Sequence, residues 1–261
     1  MSTFTTTFSS VLEMNGMKEF SVCSELFEKL FVTLTETNKM FNLTAVTDEL
    51  GVSALHFADS LMAIPYLKTV FGDGFCDISE QKERISNQNA KKTLLDVGCG
   101  AGFPSLPIAI ACPELGVTGL DSTAKKVDFS NKFACENGLV NFKSVSARAE
   151  DAAKGKDMRE RFDVVTARAV SRLNVLAEIT LPFVKNGGYF LAMKGAKGME
   201  ELEEAKKCIE ILGGKIISAE EKELILPEES QKRTMILIKK VRNTENKYPR
   251  PYAKIVKSPL K

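Results

Sequence analysis

Between Thr93 and Phe103 the sequence runs from a short apolar strand through a glycine-rich turn into a helix. No other segment restricts the fold so strongly. The turn reads Gly98-Cys99-Gly100-Ala101-Gly102-Phe103-Pro104. Glycines at a strand end let the backbone bend sharply and approach a ligand closely. In an open parallel sheet, ligands bind beyond the carboxyl ends of the strands. The next strand, Val117 to Asp121, ends on an acid that can accept hydrogen bonds from two ribose hydroxyls. An adenosine-containing ligand lying over the glycines follows; the plain alternative is a glycine turn that binds nothing. The spacing is GxGxG, not the GxGxxG of dinucleotide folds, and no Gly-Lys-Ser/Thr follows to make a phosphate loop.

Alternation of strands and helices continues downstream. Strands are expected at 93–97, 117–121, 141–147, 162–166 and 188–193, with helices at 103–111, 122–137, after 166 to about 181, and 199–212. This pattern predicts an α/β fold with a mostly parallel sheet and helices on both faces. Two late strands, 215–226 and 233–241, have no helix between them and predict an antiparallel hairpin on one edge. Residues 1–92 read as a helical extension and linker. In it Val22, Leu26, Leu30 and Leu34 recur every four residues with Phe27 and Phe31 beside them. Residues 42–46 read as an extended link, after which Asp48 can cap a helix running to Ile64, where Pro65 disturbs it. The polar stretch 72–92 is the candidate boundary. Residues 93–241 form the ligand-binding domain and 242–261 a basic C-terminal tail.

Composition removes several classes. The six cysteines are scattered with no CxxC pair and are expected as free thiols. One histidine, His56, makes a zinc site improbable, so no metal is expected. No apolar run reaches the roughly 20 residues of a membrane span, and the Thr- and Ser-rich start does not read as a secretory signal. A cytoplasmic, monomeric protein is expected. Net charge is +2, but from Lys232 to Lys261 the only acid is Glu245 among ten lysines and arginines. Such an end suits a phosphate-bearing partner; a solvated, partly disordered tail is the plain alternative.

The GxGxG spacing, with Asp96 two residues before the first glycine and Asp121 ending the next strand, resembles motif I of class I methyltransferases. Further segments match one family: Asn42-Leu43-Thr44, His56-Phe57-Ala58-Asp59-Ser60-Leu61, Gly98 to Pro104, Asp121-Ser122, Lys125-Lys126, Arg148-Ala149-Glu150, Ala167-Arg168-Ala169, Lys194-Gly195, Lys239-Lys240 and Tyr248-Pro249-Arg250. From about Asn38 onward the chain resembles the bacterial 16S ribosomal RNA guanine-N7 methyltransferase G family, also called glucose-inhibited division protein B. The resemblance implies a Rossmann-like fold, S-adenosylmethionine as cofactor and 16S RNA or the small ribosomal subunit as partner. It implies that Gly98, Gly100 and Phe103 contact the cofactor in the turn, Asp121 its ribose, and Ala149 and Glu150 its adenine. Arg168 would face the methionine end or the incoming base. Three departures stand out: Ser105 in place of glycine, Cys99 in place of Ser or Thr, and a long 72–92 stretch.

Chemistry read from the residues agrees. After the fourth strand stands Thr166-Ala167-Arg168-Ala169, not the Asp/Asn-Pro-Pro-aromatic of amine alkylation, and no Pro-Cys nucleophile or Lys/His base occurs there. Guanine N7 is a free acceptor with no proton to remove, so its methylation needs no general base and no catalytic side chain is assigned. His56, Asp59 and Ser60 share one helix face. They predict a small polar network at the cofactor mouth, a contact with RNA, or a His–carboxylate pair joining the extension to the main domain. Lys194, at the end of the fifth strand, suits a phosphate or plain solvent, and Arg233 faces RNA or the surface. Tyr248 and Arg250 suit stacking and backbone contact, whereas Lys206-Lys207 reads as an exposed helix face. The alternatives are a class I methyltransferase acting on another RNA or a small molecule, and a non-catalytic regulator that binds an adenosine nucleotide.

Overall fold

The structure, a computed structural model, describes residues 2–76 and 86–260. An N-terminal layer holds α1 (Thr3–Met14), α2 (Ser24–Asn38), α3 (49–61) and α4 (Ile64–Phe71). Ser2 begins α1 by accepting a hydrogen bond from the Thr5 amide. Phe8 and Phe57 meet edge-on, and Phe27 packs against both rings. The apolar stripe of α2 starts later than the spacing predicts: Phe27, Leu30 and Leu34 are buried, but Val22 is 67% exposed. Val22 sits in a 3₁₀ turn, Lys18–Cys23, whose tighter winding takes it off the helix face.

Asp48 begins α3 as expected, with Oδ1 accepting from the Gly51 amide. The centre of α3, Val52–Ala58, is wound as a π-helix, and Pro65 sits in the first turn of α4. The run Glu49–Phe71 is long and apolar enough to cross a membrane, which corrects the expectation that no such run exists; 72% of its apolar window is buried inside the protein.

The main body is one seven-stranded sheet: β1 (Lys92–Val97), β2 (Leu115–Asp121), β3 (Phe142–Ser146), β4 (Phe162–Arg168), β5 (Val184–Lys194), β6 (Gly214–Ile225) and β7 (Ser230–Lys240). Their order is β3-β2-β1-β4-β5-β7-β6. The first five strands are parallel, and β7 lies antiparallel between β5 and β6. This is the expected α/β architecture with its edge hairpin. The central strands are buried on both faces, hence their near-continuous apolar sequence. Helices α5 (Ser105–Ala111), α6 (Ala124–Glu136), α7 (Ala149–Ala152), α8 (Leu173–Thr180), α9 (Gly198–Ile211) and α10 (Tyr252–Lys257) complete the body. One core lies under the N-terminal layer with α5 and α6, the other under α8 and α9. Strand order reverses between β1 and β4, so the two halves part above the glycine turn.

Two expectations about the connecting segments need correction. Cys76 and Cys112 form a disulfide, so not all six cysteines are free. They stand 36 residues apart in sequence, and only folding brings the chain after α4 to the end of α5. The rest of the 72–92 stretch is described from residue 86 on, where Asn87 donates to the Val117 and Asn141 carbonyls; residues 77–85 lie outside the described part. The chain after β7 is not a solvated tail. Tyr248 and Ile255 are buried, and Arg159 donates to the Thr244 and Tyr248 carbonyls.

Candidate functional site

At the end of β1 the chain turns through Gly98 with φ +76°, and a Cβ there would lie 2.6 Å from the Val170 side chain. Glycine is therefore required both by conformation and by the close approach of the β4–α8 connection. At Gly100, φ +56°, a Cβ would meet nothing within 4 Å, so the backbone faces open space. Asp121 ties the turn to β2: its Oδ2 accepts from the Gly100 amide at 2.9 Å and its Oδ1 from the Thr123 amide at 2.8 Å. Each oxygen keeps a second lone pair for a ligand. Below the turn, Asp96 is fully buried and accepts from the Ser105 amide, while its Oδ1 has no hydrogen-bond partner. Burial pushes its pKa up to about 7, against the weaker pull of Ser105 and Arg168. Ser105, the departure from glycine noted above, opens α5 at this point.

A cleft over the turn is lined by Gly98, Asp121, Ala149 and Glu150, together with Val170, Ile179 and Tyr252. Four of the seven residues expected at the cofactor thus share one cavity. Phe103 does not line it. Its ring stacks on His56, with centroids 4.7 Å apart and planes within 14°.

A second cleft opens at the ends of β4 and β5. It is lined by His56, Asp59, Arg168, Ala169, Lys194 and Arg233, among others. Asp59 is its centre: Oδ2 accepts from Arg168 Nη1 at 2.7 Å and Oδ1 from Arg233 Nε at 2.8 Å. Arg168 also donates to the Leu55 carbonyl. Ala169, the next residue, has φ +56°, a left-handed conformation unusual for a residue with a Cβ. Lys194 is buried, pairs with Glu201 at 2.8 Å and donates to the Ser171 carbonyl.

The His56–Asp59 pair expected on one helix face does not form. The His56 Nε2 meets the Thr44 hydroxyl at 2.7 Å, and Asp59 turns to the two arginines. Burial, reinforced by the nearby Arg168 charge, holds the His56 pKa at about 4. The solvent readings of Lys194 and Arg233 give way to these pairings. Arg250 lines neither cleft: it grips Glu178 with its amide, Nε and Nη2, and Glu178 is wholly buried. Val170 and Tyr252 were not among the expected site residues. Val170 follows directly on the Ala167-Arg168-Ala169 motif, and Tyr252 lies two residues beyond Arg250.

The family model described as GidB, rRNA small subunit methyltransferase G, matches residues 80–230. A ribosomal RNA small subunit methyltransferase G from Lactobacillus johnsonii is 44% identical over 97% of this chain and 98% of its own length. Its counterpart from a Geobacillus strain is 41% identical over 98% of this chain and 99% of its own length. Among solved structures, the 16S rRNA (adenine(1408)-N(1))-methyltransferase from Catenulisporales acidiphilia superposes with a TM-score of 0.51 at 15% identity, covering 60% of this chain and 91% of that one. At that identity it speaks for the fold alone. With a family model matched over more than half its length and relatives above 40% identity along nearly all of it, the chain belongs to the rRNA small subunit methyltransferase G family.

Proposed function

We propose that this chain methylates N7 of a guanine in 16S ribosomal RNA, with S-adenosylmethionine as methyl donor. The observation that carries the reading is the pair of adjoining clefts at the strand ends, one over the glycine turn and one around Asp59. The first fits the cofactor. Gly98, Asp121, Ala149 and Glu150 line it together, and the two lone pairs that Asp121 keeps support it as the ribose contact, with Ala149 and Glu150 as the adenine contacts. Asp96, with an unpartnered buried oxygen, suits a cationic or hydrogen-bond-donating group above it. When bound, the cofactor supplies a methyl group on a sulfonium, transferable to a lone pair in line with the S–CH₃ bond.

The second cleft suits an acceptor that has no proton to lose. His56, with a pKa near 4, is a weak proton acceptor at neutral pH. The carboxylate of Asp59 is taken up by two guanidiniums and that of Glu201 by Lys194. Among the described residues lining this cleft, none serves as general base, which matches guanine N7. Two guanidiniums on one carboxylate leave one positive charge uncompensated, and a phosphodiester of the target nucleotide suits it. The work of these residues is then to bind and orient the base and to exclude water. A target base must be unstacked to enter, so a loop or a flipped nucleotide is the substrate form.

Labelled cofactor, incubated with small subunits and their RNA and followed by mass mapping of modified nucleotides, tests the reading. N7-methylguanine in 16S RNA is expected. Absence of label from small-subunit RNA in every assembly state overturns it.

A further inference from the structure

The C-terminal segment completes the cofactor cleft, although its basic sequence reads as an RNA-binding tail. Three anchors fix it. Arg159 donates from both terminal nitrogens to the Thr244 and Tyr248 carbonyls. Arg250 binds the buried Glu178 carboxylate through three hydrogen bonds of 2.6–2.9 Å. Ile255 is fully buried in the core under α8. The second anchor matters most. Glu178 immediately precedes Ile179, a wall of the cofactor cleft, and Arg250 stands two residues before Tyr252. One ion pair therefore sets both an aliphatic and an aromatic side chain at the same cavity. Tyr252 is 38% exposed, too open for a core residue held only by packing, and it lines that cavity with Asp121 and Glu150. On its other side it borders a groove along α9.

We propose that Tyr252 is a cofactor-binding residue, whose ring lies against the adenosine moiety and closes that end of the cleft. A flat aromatic face offered to a purine is a general recognition device, tolerant of exposure because the ring is rigid. The inference rests on the cofactor and not on the identity of the acceptor, so it stands or falls separately from N7 methylation.

Calorimetry with S-adenosylhomocysteine and the full chain, without RNA, gives the test. Tyr252→Ala is expected to weaken binding about tenfold, as loss of one stacked ring does, while Tyr252→Phe binds as wild type. Val256→Ala, in the same helix but bordering only the groove, is expected to leave affinity unchanged. A wild-type affinity for Tyr252→Ala overturns the proposal. So does an equal loss for Val256→Ala, which would mean that the segment is merely loosened. The chain contains no tryptophan, so Tyr252→Trp supplies a single emission reporter. Its emission is expected to change on titration with S-adenosylhomocysteine, and a flat trace overturns the assignment.

Discussion

Two carboxylates, Asp59 and Glu178, each hold distant parts of the chain together, and they do so with different charge balance. Glu178 is wholly buried and meets one guanidinium, Arg250, itself 15% exposed, so the pair is neutral and lines neither cleft. Asp59 meets two, Arg168 and Arg233, which are 13% and 18% exposed on the wall of a cleft. A neutral pair leaves no charge over for a ligand and serves to stabilise and position. A cluster with charge left over, open on one side, is prepared for a charged ligand. Charge balance and a place on a cleft wall, not the residue types or the exposure of the guanidiniums, distinguish the two clusters.

The largest effect expected is on stability. Arg250→Ala leaves the Glu178 carboxylate buried without a cation and should cost about 3–5 kcal/mol in chemical denaturation. Adding Glu178→Gln should recover part of that loss; a loss below about 1 kcal/mol for Arg250→Ala would break the contrast. Asp96 sharpens it, because this buried carboxylate has no ion-pair partner among the described residues. Its pKa is raised in the folded state to about 7, against 3.8 ordinarily. The folded protein therefore retains the proton over this interval. The stability that Asp96 contributes is full below about pH 4 and is lost as pH rises to about 7. Relative to wild type, Asp96→Asn should gain on the order of 4 kcal/mol between those limits and nothing further above them. A constant difference across that range would place the Asp96 pKa elsewhere.

Asp59→Asn is expected to lower turnover about 10²-fold by freeing two arginines from their positions, with a smaller stability loss than Arg250→Ala. Asp59→Glu, which keeps the charge, should restore part of the rate; unchanged turnover in Asp59→Asn would make the cluster structural. The smallest effect concerns salt. Arg233→Ala should reduce the slope of log affinity for small-subunit RNA against log salt by about 1, whereas Arg250→Ala should leave that slope unaltered. If the two variants behave alike, leftover charge at Asp59 is not what meets phosphate.

What the sequence revealed divides by distance along the chain. The glycine turn, Asp121 and the edge hairpin were readable because a strand, its turn and the next element sit within some 30 residues. Asp59 pairs with partners 109 and 174 residues away, and Glu178 with one 72 residues away, so no spacing announces either cluster. Helix periodicity placed His56 and Asp59 on one face but said nothing of what packs there. Phe103 and Thr44 took the imidazole, and the arginines took the carboxylate. The basic run after β7 misled for a related reason. Charge counts do not record that Arg250 faces inward, or that Tyr248 and Ile255 bury the segment beside it.

The segment from Arg168 to Val170 has a consequence for the order of events. Arg168 and Ala169 line one cleft and Val170 the other, with the left-handed turn at Ala169 switching the side to which the chain points. Ligands held in the two clefts would therefore press on adjoining residues of one short segment. Any displacement that one causes there alters the free energy of binding the other, and the coupling is reciprocal: the factor by which RNA changes cofactor affinity is the factor by which cofactor changes RNA affinity. Glycine at 169 would relieve the left-handed strain and let the segment move more freely, so Ala169→Gly should change this mutual factor more than either affinity measured alone, in a four-sided binding cycle.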